Sequence, residues 1–217
     1  MRFIFEQIRT GGDRNFGYLL GDREAGEGVL VDPSYDPARL VARAKAQGLR
    51  ITSILNTHGH ADHSNGNLEA HQLTGAPVLG GPGHPGYVDG TLGDQGRVAF
   101  GGFSLSALHV PGHCPDHLVF HVAEMDAVIT GDILFVGKVG GTGSEADART
   151  EWASLQRILA AWPGTATVWP GHDYGARPSS TLAWERAANP FLQCRDVEEF
   201  IRLKAGWAGF KAANGLI

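Results

Sequence analysis

The residues of this sequence best suited to do chemistry are concentrated in one short segment. That segment is Thr57-His58-Gly59-His60-Ala61-Asp62-His63. His58 and His60 are two positions apart, so in an extended turn both side chains can point at one metal ion. If the chain then curls into a helix, Asp62 and His63 face a second point nearby. Because neutral imidazole and carboxylate are ligands of zinc and similar divalent ions, the segment predicts a metal site.

Three further candidate ligands share one setting, a polar residue beside glycine after an apolar segment. They are His113, Asp132 and His172. Glycine beside a ligand lets the backbone pass close to an ion without a Cβ clash. We therefore expect these side chains to join the histidine segment at one edge of the fold, where open α/β sheets place their sites.

The elements that must position these residues can be read from apolar periodicity and from Gly and Pro. The pattern predicts strands over 2–8, 16–20, 28–31, 51–56, 77–79, 97–110 (as a hairpin), 118–122, 127–130 and 167–169. It predicts helices over 36–48, 67–73, 150–162, 180–188 and 196–210, and a loop over 80–94. Strands come first in each half and helices follow, which indicates two facing sheets with helices outside.

Composition narrows the function classes. The chain has 217 residues, of which 42% are hydrophobic and 19% charged, as in an ordinary globular domain. A net charge of −5 and the lack of a basic run argue against nucleic acid or an anionic membrane surface as the partner. With no signal peptide or membrane span in the pattern, and only Cys114 and Cys194 as thiols, we expect a cytoplasmic protein with reduced cysteines.

The ordered motifs T-H-G-H-A-D-H, P-G-H, T-G-D and P-G-H-D-Y resemble those of the metallo-β-lactamase-fold hydrolases, and most closely the glyoxalase II (hydroxyacylglutathione hydrolase) branch. The resemblance covers roughly residues 1–175. It implies an α+β fold, an αββα sandwich of two mixed β-sheets flanked by helices. By position, the first metal would be held by His58, His60 and His113, the second by Asp62, His63 and His172, and Asp132 would bridge both.

The resemblance also implies a mechanism. Two divalent ions, preferably zinc but with iron or manganese as alternatives, would hold a water that ionises near neutral pH and attacks an ester or thioester carbonyl. Asp62 and Asp132 would be the catalytic carboxylates. The positions expected to bind substrate are Lys138, Tyr174 and Arg177, with the wall formed by residues 137–145. His117, four residues after His113, could support a ligand.

The sequence departs from glyoxalase II after Asp132. Val139 occupies the usual cysteine position of G-C-G and Gly141 the usual basic position, so a smaller or different thioester or ester could replace the glutathione conjugate. Persulfide dioxygenases of the same fold are an alternative, with one iron held by the equivalents of His58, His113 and Asp132, and a lactonase is another. We expect a catalytic domain over 1–178, a short helical extension over 179–217, a small-molecule substrate, and either a monomer or a homodimer.

Overall fold

The computed structural model describes residues 1–213 and 215, and its first half is a mixed six-stranded sheet. The strands, in spatial order, are β1 (Phe3–Gly11), β2 (Asn15–Asp22), β3 (Glu27–Val31), β4 (Arg50–Leu55), β5 (Val78–Gly80) and β6 (Gly90–Thr91). The first three pair antiparallel, and β3 to β6 pair parallel. Helix α1 (Pro37–Ala46) connects β3 to β4, and α2 (Ala61–Ser64) and α3 (Asn67–Thr74) connect β4 to β5.

The second half forms another mixed sheet. Its strands along the chain are β7 (Arg97–Phe100), β8 (Phe103–His109), β9 (Leu118–Val122), β10 (Ala127–Gly131), β11 (Leu134–Phe135), β12 (Lys138–Val139), β13 (Thr167–Pro170) and β14 (Ser180–Thr181). Six form a sheet in the order β14-β13-β10-β9-β8-β7, in which only β10 and β13 pair parallel, while β11 and β12 form a separate ribbon. The helices are α4 (Glu145–Ala161), α5 (Leu182–Ala188), α6 (Val197–Ala205) and α7 (Trp207–Ala213).

Side chains alternate between the two faces of each strand, and this alternation divides the apolar core into three layers. Tyr18 and Leu20 of β2 pack between the two sheets, whereas Leu19 packs among residues of α1. Likewise Ile129 of β10 faces the first sheet, and Val128 packs with α4 and α6. Because successive strand residues point to opposite faces, each sheet is covered on both sides. The predicted αββα sandwich is therefore confirmed.

Several predicted boundaries were wrong. The setting of His113 after an apolar segment predicts that it ends a strand, but β8 ends four residues earlier, at His109, because Pro111 has no N–H for the ladder and Gly112 has a left-handed φ of 139°. His113 thus lies in a loop. The predicted loop over 80–94 contains the short strand β6, which pairs with β5.

The helical segments also differ. Helix α4 begins at Glu145 rather than at 150, because the Ser144 side chain accepts a hydrogen bond from the Asp147 N–H and caps the helix earlier. The helix predicted from 180 begins at Leu182, after β14. The helix predicted over 196–210 is divided at Gly206 into α6 and α7.

The segment from residue 179 onward is joined to the rest of the chain. Strand β14 pairs with β13, and Leu182, Phe191 and Phe200 share a core with α4. The division at residue 178 stays a prediction, and positions 214, 216 and 217 of the predicted extension lie outside the described residues. Within the described part of the chain, every helix is too short or too polar to cross a membrane.

Tyr18 is fully buried and joins the two sheets by a hydrogen bond as well as by packing. Its hydroxyl donates to the carbonyl of Pro170 in β13 (2.5 Å) and accepts from Gln7 Nε2. Tyr18→Phe should lower the free energy of unfolding by about 1–2 kcal/mol, because a buried acceptor loses its partner. Urea denaturation measures the loss. Tyr87→Phe, which removes only the hydroxyl bound to Asp89 at the surface, is the control, and an equal loss there would contradict the explanation.

Candidate metal centre

The histidine segment takes the path that its spacing predicts. After β4, residues 57–60 belong to no regular helix or strand, and His60, whose backbone is extended (φ −60°, ψ 143°), precedes the single turn of α2. The backbone then curls, so Asp62 and His63 lie on this helical turn. The first two histidines and the Asp62–His63 pair consequently face two neighbouring points.

His58, His60 and His113 form a first triad. The Nδ1 atom of His60 lies 3.0 Å from His58 Nε2 and 3.0 Å from His113 Nε2. One ring nitrogen from each residue lies within 4.8 Å of the other two. Three imidazoles converging in this way can hold one divalent ion.

Asp62, His63 and His172 form a second triad. His172 Nε2 lies 3.2 Å from His63 Nε2 and 3.3 Å from the Oδ2 atom of Asp62. His63 Nε2 is 3.7 Å from the same oxygen. These donors converge as closely as those of the first triad, so a second ion could be held here.

Asp132, which follows β10, contacts both triads. Its Oδ2 atom lies 3.2 Å from His172 Nε2 and 3.8 Å from His113 Nε2, and its Oδ1 atom lies 3.3 Å from His63 Nε2. The structure thus brings together all seven side chains that the sequence proposed as ligands. Their role as ligands stays a prediction.

The electrostatics of the cluster fit a cation. Buried Asp132 Oδ1 accepts no hydrogen bond from the described residues, which leaves a lone pair for an ion. Burial alone would raise the pKa of Asp132, but His63 and His172 hold it well below the ordinary value. Burial lowers the pKa of His58 and of His113. These groups are therefore carboxylate and neutral imidazole, the forms that bind metal.

The carboxylates of Asp132 and Asp62 both favour positive charge at the second triad. Burial opposes the charged form of His172, but hydrogen bonds to Asp132 and Asp62 prevail and raise its pKa to about 9. A cation at this point would receive the same attraction. Because metal and proton compete for such groups, metal binding here should release protons.

In both triads, histidine ring nitrogens that face away from the cluster form hydrogen bonds. Such a bond fixes the tautomer and the direction of a metal-binding histidine. His63 Nδ1 lies 3.0 Å from the buried carboxylate of Asp32, which also accepts hydrogen bonds from the backbone N–H and hydroxyl of Thr57. His172 Nδ1 donates to the carbonyl of Asp13 (2.8 Å), and His113 Nδ1 donates to that of Gly141 (2.7 Å).

Sequence reasoning missed two of these supporting residues. Asp32 directly follows the apolar β3, but it is flanked by Val31 and Pro33 and lacks the neighbouring glycine that marks the other candidates. Its left-handed φ of 48° in a buried, non-glycine residue is visible only in the structure. Asn15, whose Nδ2 donates to Asp62 Oδ2 (3.0 Å), looked like an ordinary turn residue and carried no signal.

The predicted supporting residue His117 lies inside the cluster. Its ring is fully buried and stacks on that of His58, with centroids 4.9 Å apart. Its Nε2 accepts a hydrogen bond from the backbone N–H of Asp132 (3.1 Å). His117 therefore packs against a residue of the first triad and fixes the backbone of the bridging aspartate.

Of the three predicted substrate-binding residues, two lie beside the cluster. The ring of Tyr174 stacks on His172 at 4.5 Å, and its hydroxyl donates to Asp13 Oδ2. Lys138 Nζ lies 3.8 Å from the centroid of the Tyr174 ring. Arg177 instead lies over Trp184 at 4.4 Å, and its part in substrate binding stays a prediction.

Gly171 allows the backbone to pass against the cluster. A Cβ atom at this position would lie 2.2 Å from Asp132 Oδ1 and 2.8 Å from His63 Cε1. Gly171→Ala should displace the bridging carboxylate and lower both metal content and activity by about tenfold or more, as loss of ligand orientation does. Elemental analysis after gel filtration measures this. Gly143→Ala, where the nearest atom is 3.5 Å from such a Cβ, should retain its metal, and equal losses in both would refute the steric explanation.

Comparisons with known proteins agree with this geometry. The family model of the metallo-beta-lactamase superfamily matches residues 10–172. Human mitochondrial persulfide dioxygenase ETHE1 is 34% identical over 206 residues, which cover 94% of this chain and 79% of the relative. Hydroxyacylglutathione hydrolase of Polaromonas sp. is 35% identical over 178 residues, covering 79% of this chain and 67% of the relative. The crystal structure of ETHE1 from Myxococcus xanthus gives a TM-score of 0.85 at 30% identity, covering 94% of this chain and 91% of that one.

These relatives confirm the resemblance drawn from the sequence motifs, and they include both the hydrolase and the dioxygenase branches. Fold, matched motifs and clustered donors all lead to the same family. The chain belongs to the metallo-beta-lactamase superfamily.

Proposed function

We propose that this chain is a metal-dependent hydrolase that cleaves a thioester or ester with two divalent ions. The observation that carries the proposal is the position of Asp132. Its carboxylate lies 3.2 Å from a nitrogen of the second triad and 3.8 Å from one of the first. A single carboxylate shared by two complete triads is the arrangement expected of a binuclear site, where two ions clamp one reacting group.

The second triad has supporting contacts of its own. Asp32 orients His63, the Asp13 carbonyl orients His172, and Asn15 holds Asp62. These three contacts fix the direction of the second triad's side chains, which supports an ion at this point. The mixed imidazole and carboxylate donors suit zinc, and they also accept iron or manganese.

Two divalent ions in this position would lower the pKa of water towards neutrality and polarise a carbonyl oxygen. The chain's own residues fix the geometry and charge of the site. Among the seven side chains, His60 is exposed and both Asp62 and His113 are partly exposed, so a substrate would approach from the side of these three residues. A cysteine nucleophile is disfavoured, because burial raises the pKa of the Cys114 thiol far above neutrality.

A persulfide dioxygenase is the second candidate. It is supported by the two ETHE1 relatives, each of which matches 94% of this chain. In that function one iron would be held by His58, His113 and Asp132, and the second triad would hold no ion. The two candidates therefore differ in what they require of His172 and Asp62.

Metal content and oxygen uptake decide between them. Protein purified without added metal should contain about two divalent ions per chain, consume no oxygen with glutathione persulfide, and cleave members of a thioester, ester and lactone panel. His172→Asn, which removes a ring nitrogen from the second triad and leaves His58, His113 and Asp132 in place, should abolish hydrolysis. One iron per chain, oxygen uptake, and retention of both in His172→Asn would overturn the hydrolase in favour of the dioxygenase.

A further inference from the structure

A buried ion pair joins helix α6 to helix α4 behind the metal centre. The ammonium group of Lys204 in α6 contacts the carboxylate of Glu151 in α4. Glu151 is fully buried, and only 11% of the Lys204 side chain is exposed. We call these two residues the α4–α6 ion pair. Replacing such a pair by apolar groups is often close to neutral for stability, so stability alone does not explain the two charges.

The α4–α6 ion pair lies against the loop that carries His113. A Cβ atom on Gly112 would lie 2.4 Å from the Cα atom of Glu151, so the two backbones approach closely here. Three residues further along α4, the hydroxyl of Ser154 donates to the carbonyl of Pro111 (2.6 Å). The residues that lead into His113 therefore rest on the part of α4 that carries the ion pair.

Lys204 also supports the other side of His113. Its ammonium group donates to the carbonyl of Gly140 (2.7 Å), and the next carbonyl, that of Gly141, accepts from His113 Nδ1 (2.7 Å). Gly140 itself lies against the imidazole, since a Cβ atom there would be 2.7 Å from His113 Nδ1. Two consecutive carbonyl groups of one segment thus bind the ammonium group and the imidazole.

This segment has little rigidity of its own. Residues 140–142 belong to no regular helix or strand, and two of the three are glycine, the residue with the widest choice of backbone conformations. A carbonyl on such a segment can orient an imidazole only if another contact fixes the segment. Hydrogen bonds from charged donors are the strong ones, and Lys204, held in place by Glu151, supplies one here.

We propose that Lys204 is a positioning residue for the first triad. Its ammonium group fixes residues 140–141, and the carbonyl of this segment then holds the His113 ring with Nε2 towards the other two histidines. Glu151 keeps the ammonium group in place. The inference rests on the proposed function only in that the first triad holds an ion, which the hydrolase and the dioxygenase have in common. Helix α6 thereby supports a metal site to which it contributes none of the seven proposed ligands.

Cobalt titration tests the positioning without turnover. Co²⁺ bound by imidazole and carboxylate absorbs visible light, so the affinities for the two ions can be measured on protein stripped of metal. The variant that combines Glu151→Leu with Lys204→Met should bind one ion about tenfold more weakly, as loss of support for a metal-binding histidine does, and the other unchanged. The same weakening in a His172→Asn background assigns the affected ion to the first triad.

Three further variants separate positioning from stability. Lys204→Gln keeps a polar group beside Glu151 but is one bond too short for the Gly140 carbonyl, and it should weaken the same ion. Glu151→Gln keeps an acceptor for the ammonium group and should bind both ions as the wild type does. Arg149→Met removes an exposed ion pair between the same two helices, Arg149–Glu198 (2.6 Å), and should also leave both affinities unchanged.

Wild-type affinity for both ions in the folded combined variant, or in Lys204→Gln if the combined variant does not fold, would overturn the inference, because His113 would then be oriented without the ammonium group. Equal weakening in Arg149→Met would overturn it too, because the packing of α6 on α4 rather than the contact to Gly140 would be the cause. A wild type that binds no Co²⁺ would instead refute the proposed metal function, and the inference with it.

Discussion

The Asp132→Ala variant is expected to bind metal poorly and to lose nearly all activity. The carboxylate lies against a ring nitrogen of each triad, 3.2 Å from His172 Nε2 and 3.8 Å from His113 Nε2. Under the proposed two-metal function, its loss would remove a shared charged ligand from two ions at once. Metal ions contribute several kcal/mol of transition-state stabilisation, so kcat/KM should fall by roughly a thousandfold or more.

Two companion variants make this result specific. Asp132→Asn keeps the shape of the side chain but not its charge, and should lose most of the metal as well. Glu124→Gln makes the same change of charge at an exposed position and should behave as the wild type. Metal is measured by elemental analysis and activity with the thioester that the panel identifies. Activity retained in Asp132→Ala would contradict the two-metal mechanism.

The local part of the site could be predicted because sequence spacing alone determines it. His58 and His60 must share a direction in an extended turn, and α2 must turn Asp62 and His63 towards another point. The distant members were recognisable only by a repeated setting beside glycine and by the family motifs. Asp32 and Asn15 were not identified from the sequence, because their partners, His63 and Asp62, are 31 and 47 residues away along the chain.

The C-terminal region shows where periodicity stops being informative. Residues 196–210 have one continuous helical pattern, but the chain breaks it at Gly206. Glycine costs about 1 kcal/mol in a helix interior, which is too little for the sequence alone to decide between a break and a continuous helix. Packing decides it, since Trp207 then lies against Phe191.

Lys204→Met is expected to destabilise the protein strongly. The Lys204 ammonium group contacts the carboxylate of Glu151 and donates to the carbonyl of Gly140 (2.7 Å). Glu151 is fully buried, so removing its partner leaves an uncompensated charge and should cost about 3–5 kcal/mol. Chemical denaturation measures the loss. Glu151→Leu combined with Lys204→Met removes both charges and should recover most of the stability, because replacing a buried pair by apolar groups is often close to neutral.

The pH dependence of this loss identifies its cause. Burial raises the pKa of Glu151 from 4.5 to about 7, against the opposing effect of Lys204. The folded state thus binds the proton more tightly than the unfolded chain. This contribution to stability is fully present below pH 4.5 and is lost as pH rises through about 7. Without Lys204 the carboxyl group should hold its proton to still higher pH. The stability lost in Lys204→Met should therefore be small near pH 5 and large near about pH 8. The variant that combines Glu151→Leu with Lys204→Met should show no such loss at either pH. A loss that is independent of pH would mean that the missing contact to Gly140, rather than the buried charge, destabilises the fold.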